Sequence, residues 1–290
     1  MNTLYLLSLK AFIDNSSCKT PEGLYKYFEE DVQKSLKSLQ GPLNIPLSFL
    51  KSSETLLNVH YSWLKPLFEE MNPQEGSLYF SALPTATQSS LTNLLSNCPK
   101  VIELSSFAKK FFLERLFLKF SENTPFLPVE FIPKSPLNTL LSIKKSYLVW
   151  LIDILGIQDL SLDLRKVLDK RILDDIFNKL EEHQKKYLKS ILNRGDLPLV
   201  KSEDLAYWLK GKDILLNQIH QKGLHRLSIA LLGQNESLIW HISRLLDTGR
   251  GSELIKNLQD TRLKAINPKL KEQITANLLS LLTLFKESTP

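Results

Sequence analysis

The stretch Gly223 to Leu258, GLHRLSIALLGQNESLIWHISRLLDTGRGSELIKNL, decides the fold class. Its apolar residues recur at helical spacing on both sides of Gly233, and none of it alternates with the period of two that a half-buried strand requires. Further on, Gly249 suits a helix C-terminal cap, Gly251 lets the next helix start sharply, and Ser252 and Glu253 favour its first turn. A glycine-bracketed arginine such as Arg250 can hold an anion near a helix start. Capping accounts for the same glycines more simply.

Outward from this stretch the helical cadence continues. Thr20 and Pro21 open a helix carrying Leu24, Phe28, Val32, Leu36 and Leu39 on one face, which Gly41-Pro42 ends, after a short opening helix around Leu4, Leu7 and Phe12. The segment 52–71 predicts a helix with a break or kink at Pro66, and 72–76 a turn. Two short helices split by Pro84 follow. In LSSFAKKFFLERLFLKF the apolar face is expected on Leu104, Phe107, Phe111 and Leu118, opposite Lys109, Lys110, Glu114, Arg115 and Lys119. Pro125, Pro128, Pro133 and Pro136 then crowd one segment too tightly for a continuing helix. Beyond it, 137–156 reads as an apolar helix ending at Gly156, and the charged run to 192 as one or two amphipathic helices. Ser202 caps a short helix reaching Leu209, and Gly211 separates it from DILLNQIHQ. The expected architecture is therefore all-α, an array of short packed helices in two regions: 1–120, a proline-rich connector 121–136, and 137–290.

With 290 residues and 43% hydrophobic content, the chain has enough apolar material for substantial cores. Its charge of +6 keeps nucleic acid and anionic surfaces open as partners. The basic residues, however, are interspersed with acids, as in LDLRKVLDKRILDD, rather than gathered into a block. Cys18 and Cys98 form neither a disulfide framework nor a zinc spacing. The apolar N-terminus lacks a basic flank and a cleavage site, and no run is long enough to span a bilayer, so a cytoplasmic location is expected.

No constellation for catalysis is legible. His220 and His225 fall off a common helical face, with no carboxylate at ligand spacing, and read as solvent-exposed or partly packed imidazoles. Phosphate loops and nucleophile turns are missing. The adjacent pairs Asp174-Asp175 and Glu181-Glu182 point apart on a helix and read as solvated faces. Trp63, Trp150, Trp208 and Trp240 sit among aliphatic residues as core or groove anchors. A non-enzymatic chain without cofactor or metal is expected.

The pattern L-x-x-A-L-x-G-x-x-x-x-L-x-x-x-I, on Leu227, Ala230, Leu231, Gly233, Leu238 and Ile242, resembles the C-terminal helical domain of the flagellar rotor switch protein FliG. Arg250 is the approximate counterpart of an arginine that in that family follows a further helix, and Leu254 and Leu258 precede a long terminal helix. Glu182, His183 and Gln184 resemble the family's E-H-P-Q motif, without its proline. The charged stator-facing helix is not matched: after Glu203-Asp204-Leu205, the residues Gly211, Lys212, Asp213 and Ile214 stand in its place.

The resemblance thus implies the fold and an assembly role more than rotation. It points to a non-rotating adaptor of a type III secretion apparatus, placed like the SctK/YscK accessory proteins between the inner-membrane ring and the cytoplasmic sorting platform. Such an adaptor is peripheral to the membrane through its protein partners. Glu182, His183, Gln184, Trp240, Arg244, Arg250 and Glu253 are the expected interaction residues, with Leu231, Leu238, Trp240, Ile242 and Leu246 in the core or groove. The alternative is a helical regulatory or nucleic-acid-binding protein that uses the net positive charge.

Overall fold

A computed structural model describes residues 6, 10, 28–38, 52–121, 126–193, 197–198, 205–209, 211–260 and 266–288. Among these there is no strand, and the fold is all-α. The helices are α1 (Glu30–Ser38), α2 (Ser52–Asn58), α3 (Lys65–Glu70), α4 (Pro73–Ala82), α5 (Thr85–Thr92), α6 (Ser106–Ser121) and α7 (Lys145–Leu164). They continue with α8 (Lys170–Lys179), α9 (Glu182–Ile191), α10 (Leu205–Trp208), α11 (Lys212–Leu231), α12 (Glu236–Leu245), α13 (Thr248–Gln259) and α14 (Pro268–Ser288). Short 3-10 turns cover Tyr61–Leu64, Val129–Phe131 and Pro136–Ser142. Of the expected opening helix, Leu6 and Lys10 are helical, while its Leu4, Leu7 and Phe12 and the caps expected at Thr20, Pro21 and Ser202 lie outside the described residues.

Two compact units result, one formed by Met1–Pro133 with Asn235–Thr248, the other by Lys134–Gln234 with Gly249–Pro290. The first break falls within the expected proline-rich connector. The second differs from a continuous 137–290 region, because α12 belongs with the first unit. Trp240 of α12 stacks on Phe126 with ring centroids 3.6 Å apart, in a cluster with Val59. Leu127 N–H donates to Ser237 Oγ (2.9 Å), His241 Nε2–H donates to Leu127 O (2.8 Å), and Trp63 Nε1–H donates to Leu246 O (2.8 Å). Aromatic burial of this size outweighs sequence adjacency.

Within the first unit, Leu56, Leu64, Phe68, Phe80, Leu91 and Leu116 form the main core. The expected helix from Thr20 to Leu39 does not run through 28–29, where the chain bends and Gln33 Nε2 donates to Phe28 O at 2.8 Å. Of the break or kink expected at Pro66 the structure has the break: α2 ends at Asn58, and Pro66 lies in the first turn of α3, where a proline has no intrahelical N–H to lose. The expected turn at 72–76 is instead the start of α4. Asn72 Oδ1 accepts the Glu75 N–H at 2.8 Å, and Pro73 follows it. Replacing Asn72 with alanine is expected to cost about 1 kcal/mol, read as a lower urea midpoint of the whole chain. No shift would mean that Pro73 alone sets the helix start.

The face of α6 is opposite to expectation. Phe112, Leu113, Leu116, Phe117 and Phe120 turn inward, while Phe107, Phe111 and Leu118 are exposed. This helix has apolar residues on both sides, so sequence alone does not say which side is covered.

The second unit is organised on α7, which packs against α9, α10 and most extensively α11. It does not end at Gly156. There the backbones of α7 and α11 touch: a Cβ on Gly156 would lie 1.8 Å from Ile219 O, and one on Gly223 would lie 1.8 Å from Ile152 O. The absent side chains allow this reciprocal contact, so both glycines sit mid-helix. Similarly, Gly249 and Gly251 do not separate two helices but lie within the first turns of α13. Gly233 is the glycine that ends a helix: its φ of +70° follows α11 in the left-handed region.

The core of this unit is partly polar. Arg226, fully buried, donates from Nη2 to Asp159 Oδ1 (2.6 Å) and Pro198 O (2.8 Å), and from Nη1 to Gln158 Oε1 (3.3 Å). Gln158 also donates to Tyr187 OH (2.8 Å) and exchanges amide hydrogen bonds with Asn277 of α14. Trp208 Nε1–H donates to Asp163 (3.0 Å). One face of α7 thus ties α9, α10, α11 and α14 through side chains whose hydrogen bonding offsets their desolvation.

Candidate protein-docking face

The contacts Asp153 to His220 and Asp159 to Arg226 advance together along both helices, so α7 and α11 run parallel. From Ile154 onward α7 is buried almost throughout, whereas Trp150 and Asp153 in its first half remain partly open to solvent. These two side chains lie about one turn apart. They are the centre of a face that also involves α9, α11 and α13.

On one side, His183 of α9 stacks over Trp150, with centroids 6.2 Å apart and planes 28° from parallel. Its Nδ1 lies 3.3 Å from Glu181 Oε2. Glu182 beside it accepts from Lys185 Nζ at 2.7 Å, and that hydrogen bond, reinforced by the lysine charge, holds its carboxyl below the ordinary range. On the other side, Arg250 Nε–H donates to His220 Nε2 at 2.9 Å. The ring must therefore carry its proton on Nδ1, which donates to Asp153 Oδ1 at 2.6 Å. One turn further along α13, Glu253 lies 3.7 Å from Lys256.

Of the expected interaction residues, Glu182, His183, Arg250 and Glu253 lie in one unit, and His183 and Arg250 are joined to α7, the first through Trp150 and the second through His220 and Asp153. Gln184 is not part of an open surface. It is buried, and its Oε1 accepts the Glu181 N–H at 3.1 Å, so it caps α9. Trp240 and Arg244 lie in the first unit. Trp240 is buried in the aromatic cluster, and the Arg244 guanidinium sits 4.3 Å from the Trp63 centroid and 5.2 Å from that of Trp240. Burial lowers the pKa of Arg244 below the ordinary arginine value. Its Nη1 donates to Ser243 Oγ at 2.9 Å. Both residues serve the attachment of α12.

Chemically, the His220 lone pair that a general base would use is occupied by Arg250. The Asp153–His220–Arg250 relay orients a guanidinium instead. An oriented arginine, a stacked tryptophan and histidine, and flanking carboxylates are groups that recognise a protein surface.

Spacing could not have revealed Asp153 with His220, because they lie far apart on different helices. One signal was available: Ile152-Asp153-Ile154-Leu155-Gly156 and Ile219-His220-Gln221-Lys222-Gly223 share the form I-x-x-x-G, and these segments cross. No family model matches the chain, and no characterised protein or solved structure is found to match it.

Proposed function

We propose that this chain is a non-catalytic helical adaptor whose second unit docks a protein partner through Glu182, His183, Trp150, Arg250 and Glu253. The observation that carries this reading is the linked chain of contacts across α9, α7, α11 and α13, which fixes aromatic and charged groups at a partly open face. The partners proposed are an inner-membrane ring component and a sorting-platform component of a type III secretion apparatus, met at the cytoplasmic side of the membrane. That assignment rests on the FliG-like pattern from Leu227 onward. The helix order there supports it: α11 ends before Gly233, α12 starts after the Asn235 cap, α13 carries Arg250, and α14 is long.

The test is affinity capture of ring and platform proteins from the same organism by the full chain. Trp150→Ala with Arg250→Glu is expected to weaken capture about tenfold or more while leaving the circular dichroism spectrum in place. Undiminished capture by the folded variant would remove this face from the assignment. Salt-sensitive retention of nucleic acid, with no protein captured, would favour the alternative use of the basic surface.

A further inference from the structure

Among the described residues, nothing balances the charge of Arg244. The side chain is half-buried on α12, and its guanidinium carbon lies 4.3 Å from the Trp63 centroid and 5.2 Å from that of Trp240. Burial alone lowers its pKa, and neither a carboxylate nor a second cation among the described residues acts on it. Of its N–H groups, one on Nη1 is spent on Ser243 Oγ at 2.9 Å. Nε–H is buried without an acceptor, and Nη2 donates to no described residue. Those two nitrogens lie on the same edge of the planar group and donate in parallel, the fork that grips a bidentate oxyanion. Trp240, 8% exposed, adds a second buried donor without an acceptor, its Nε1–H.

Contact with the indole rings draws on their π faces and leaves the N–H edge of the guanidinium unspent. A cation taken out of water is ordinarily paired, and both orphaned groups here are donors, so what the arrangement lacks is a negatively charged acceptor. One guanidinium with no further cation beside it matches the single charge of a carboxylate better than the double charge of a phosphate. We propose that the Nε–Nη2 edge of Arg244 is a receptor for one carboxylate from outside the chain, carried by an acidic side chain of a protein partner or by a free small acid. Trp63 and Trp240 hold the guanidinium in place, so little freedom is lost when the acid arrives. The proposal is independent of the adaptor reading, because it uses the first unit and none of the residues of the docking face.

The experiment adds sodium acetate or capped glutamate (N-acetylglutamic acid amide) to the full chain, with sodium chloride and capped glutamine at matched ionic strength as blanks. Melting temperature and the arginine Nε–H signals of a proton–nitrogen correlation spectrum are followed. A carboxylate is expected to raise the melting temperature above the blank and to move the Arg244 Nε–H signal. Arg244→Lys keeps the charge and loses the fork, and should weaken the apparent affinity about tenfold or more. The spectrum, assigned to Arg244 through its own side-chain carbons, gives the reading in the wild-type chain even if the lysine variant does not fold. A stronger response to capped glutamate than to acetate identifies a side-chain source, and a stronger response to acetate a free acid; both support the site. Inorganic phosphate should do less than either carboxylate. An Arg244 Nε–H signal that ignores both carboxylates, or answers phosphate more strongly, would overturn the proposal, as would a full acetate response in folded Arg244→Lys.

Discussion

Alanine at Gly156 is expected to destabilise the chain by about 3 kcal/mol or more, read as a large drop in the urea midpoint. The added methyl would lie 1.8 Å from Ile219 O, which belongs to a helical backbone and has no rotamer to yield. Two packed helices must separate along their length. Gly223→Ala meets Ile152 O at the same distance and should behave alike. The double variant should cost less than the sum, because helices parted for one methyl already make room for the other. Gly76→Ala is the internal comparison. Its Cβ would find nothing nearer than Met71 Cβ at 3.9 Å, so alanine in α4 should raise stability by roughly 0.5 kcal/mol. A Gly156→Ala chain with the wild-type midpoint would mean that the helices do not cross at this pair.

Arg226→Met is expected to cost about 3–5 kcal/mol, because it strands the Asp159 carboxylate in the interior. It also removes the donor from Pro198 O. Replacing both charges, as Asp159→Leu with Arg226→Met, should recover part of the loss, since no uncompensated ion remains. A double-mutant cycle on urea unfolding provides the check. Strictly additive single losses would show that the pair is not coupled, and the polar core would then owe little to it.

These two positions also show where sequence reading stops. The all-α class was legible because apolar residues recur at helical spacing in segment after segment between the proline and glycine breaks, and no segment alternates like a strand. Gly156 was expected to end a helix, since an isolated glycine weakens one. What keeps it in mid-helix is a backbone from a segment far along the chain. His220 looked unpartnered for the same reason: Asp153 faces it only once α7 and α11 lie parallel. Arg226 carries no local sign of burial, being one basic residue within HRL. Part of the candidate face was visible as Glu182, His183, Arg250 and Glu253. Trp240 and Arg244 were grouped with them by proximity in sequence, but the stacking of Trp240 on Phe126 carries that segment into the other unit.

The excursion of α12 has a consequence for the order of events during synthesis. The first unit includes Asn235–Thr248, so its aromatic cluster cannot close when the ribosome has delivered only residues up to Pro133. The whole of the second unit's first segment, Lys134–Gln234, must emerge before Trp240 arrives to cover Phe126. Domains made of one continuous segment can fold as they appear. Here the packing around Phe126 must wait, although the main core lies before Pro133. A truncation ending near Pro133 would leave Val59 and Phe126 without Trp240, so interaction mapping by nested deletions would report loss of that packing as loss of binding.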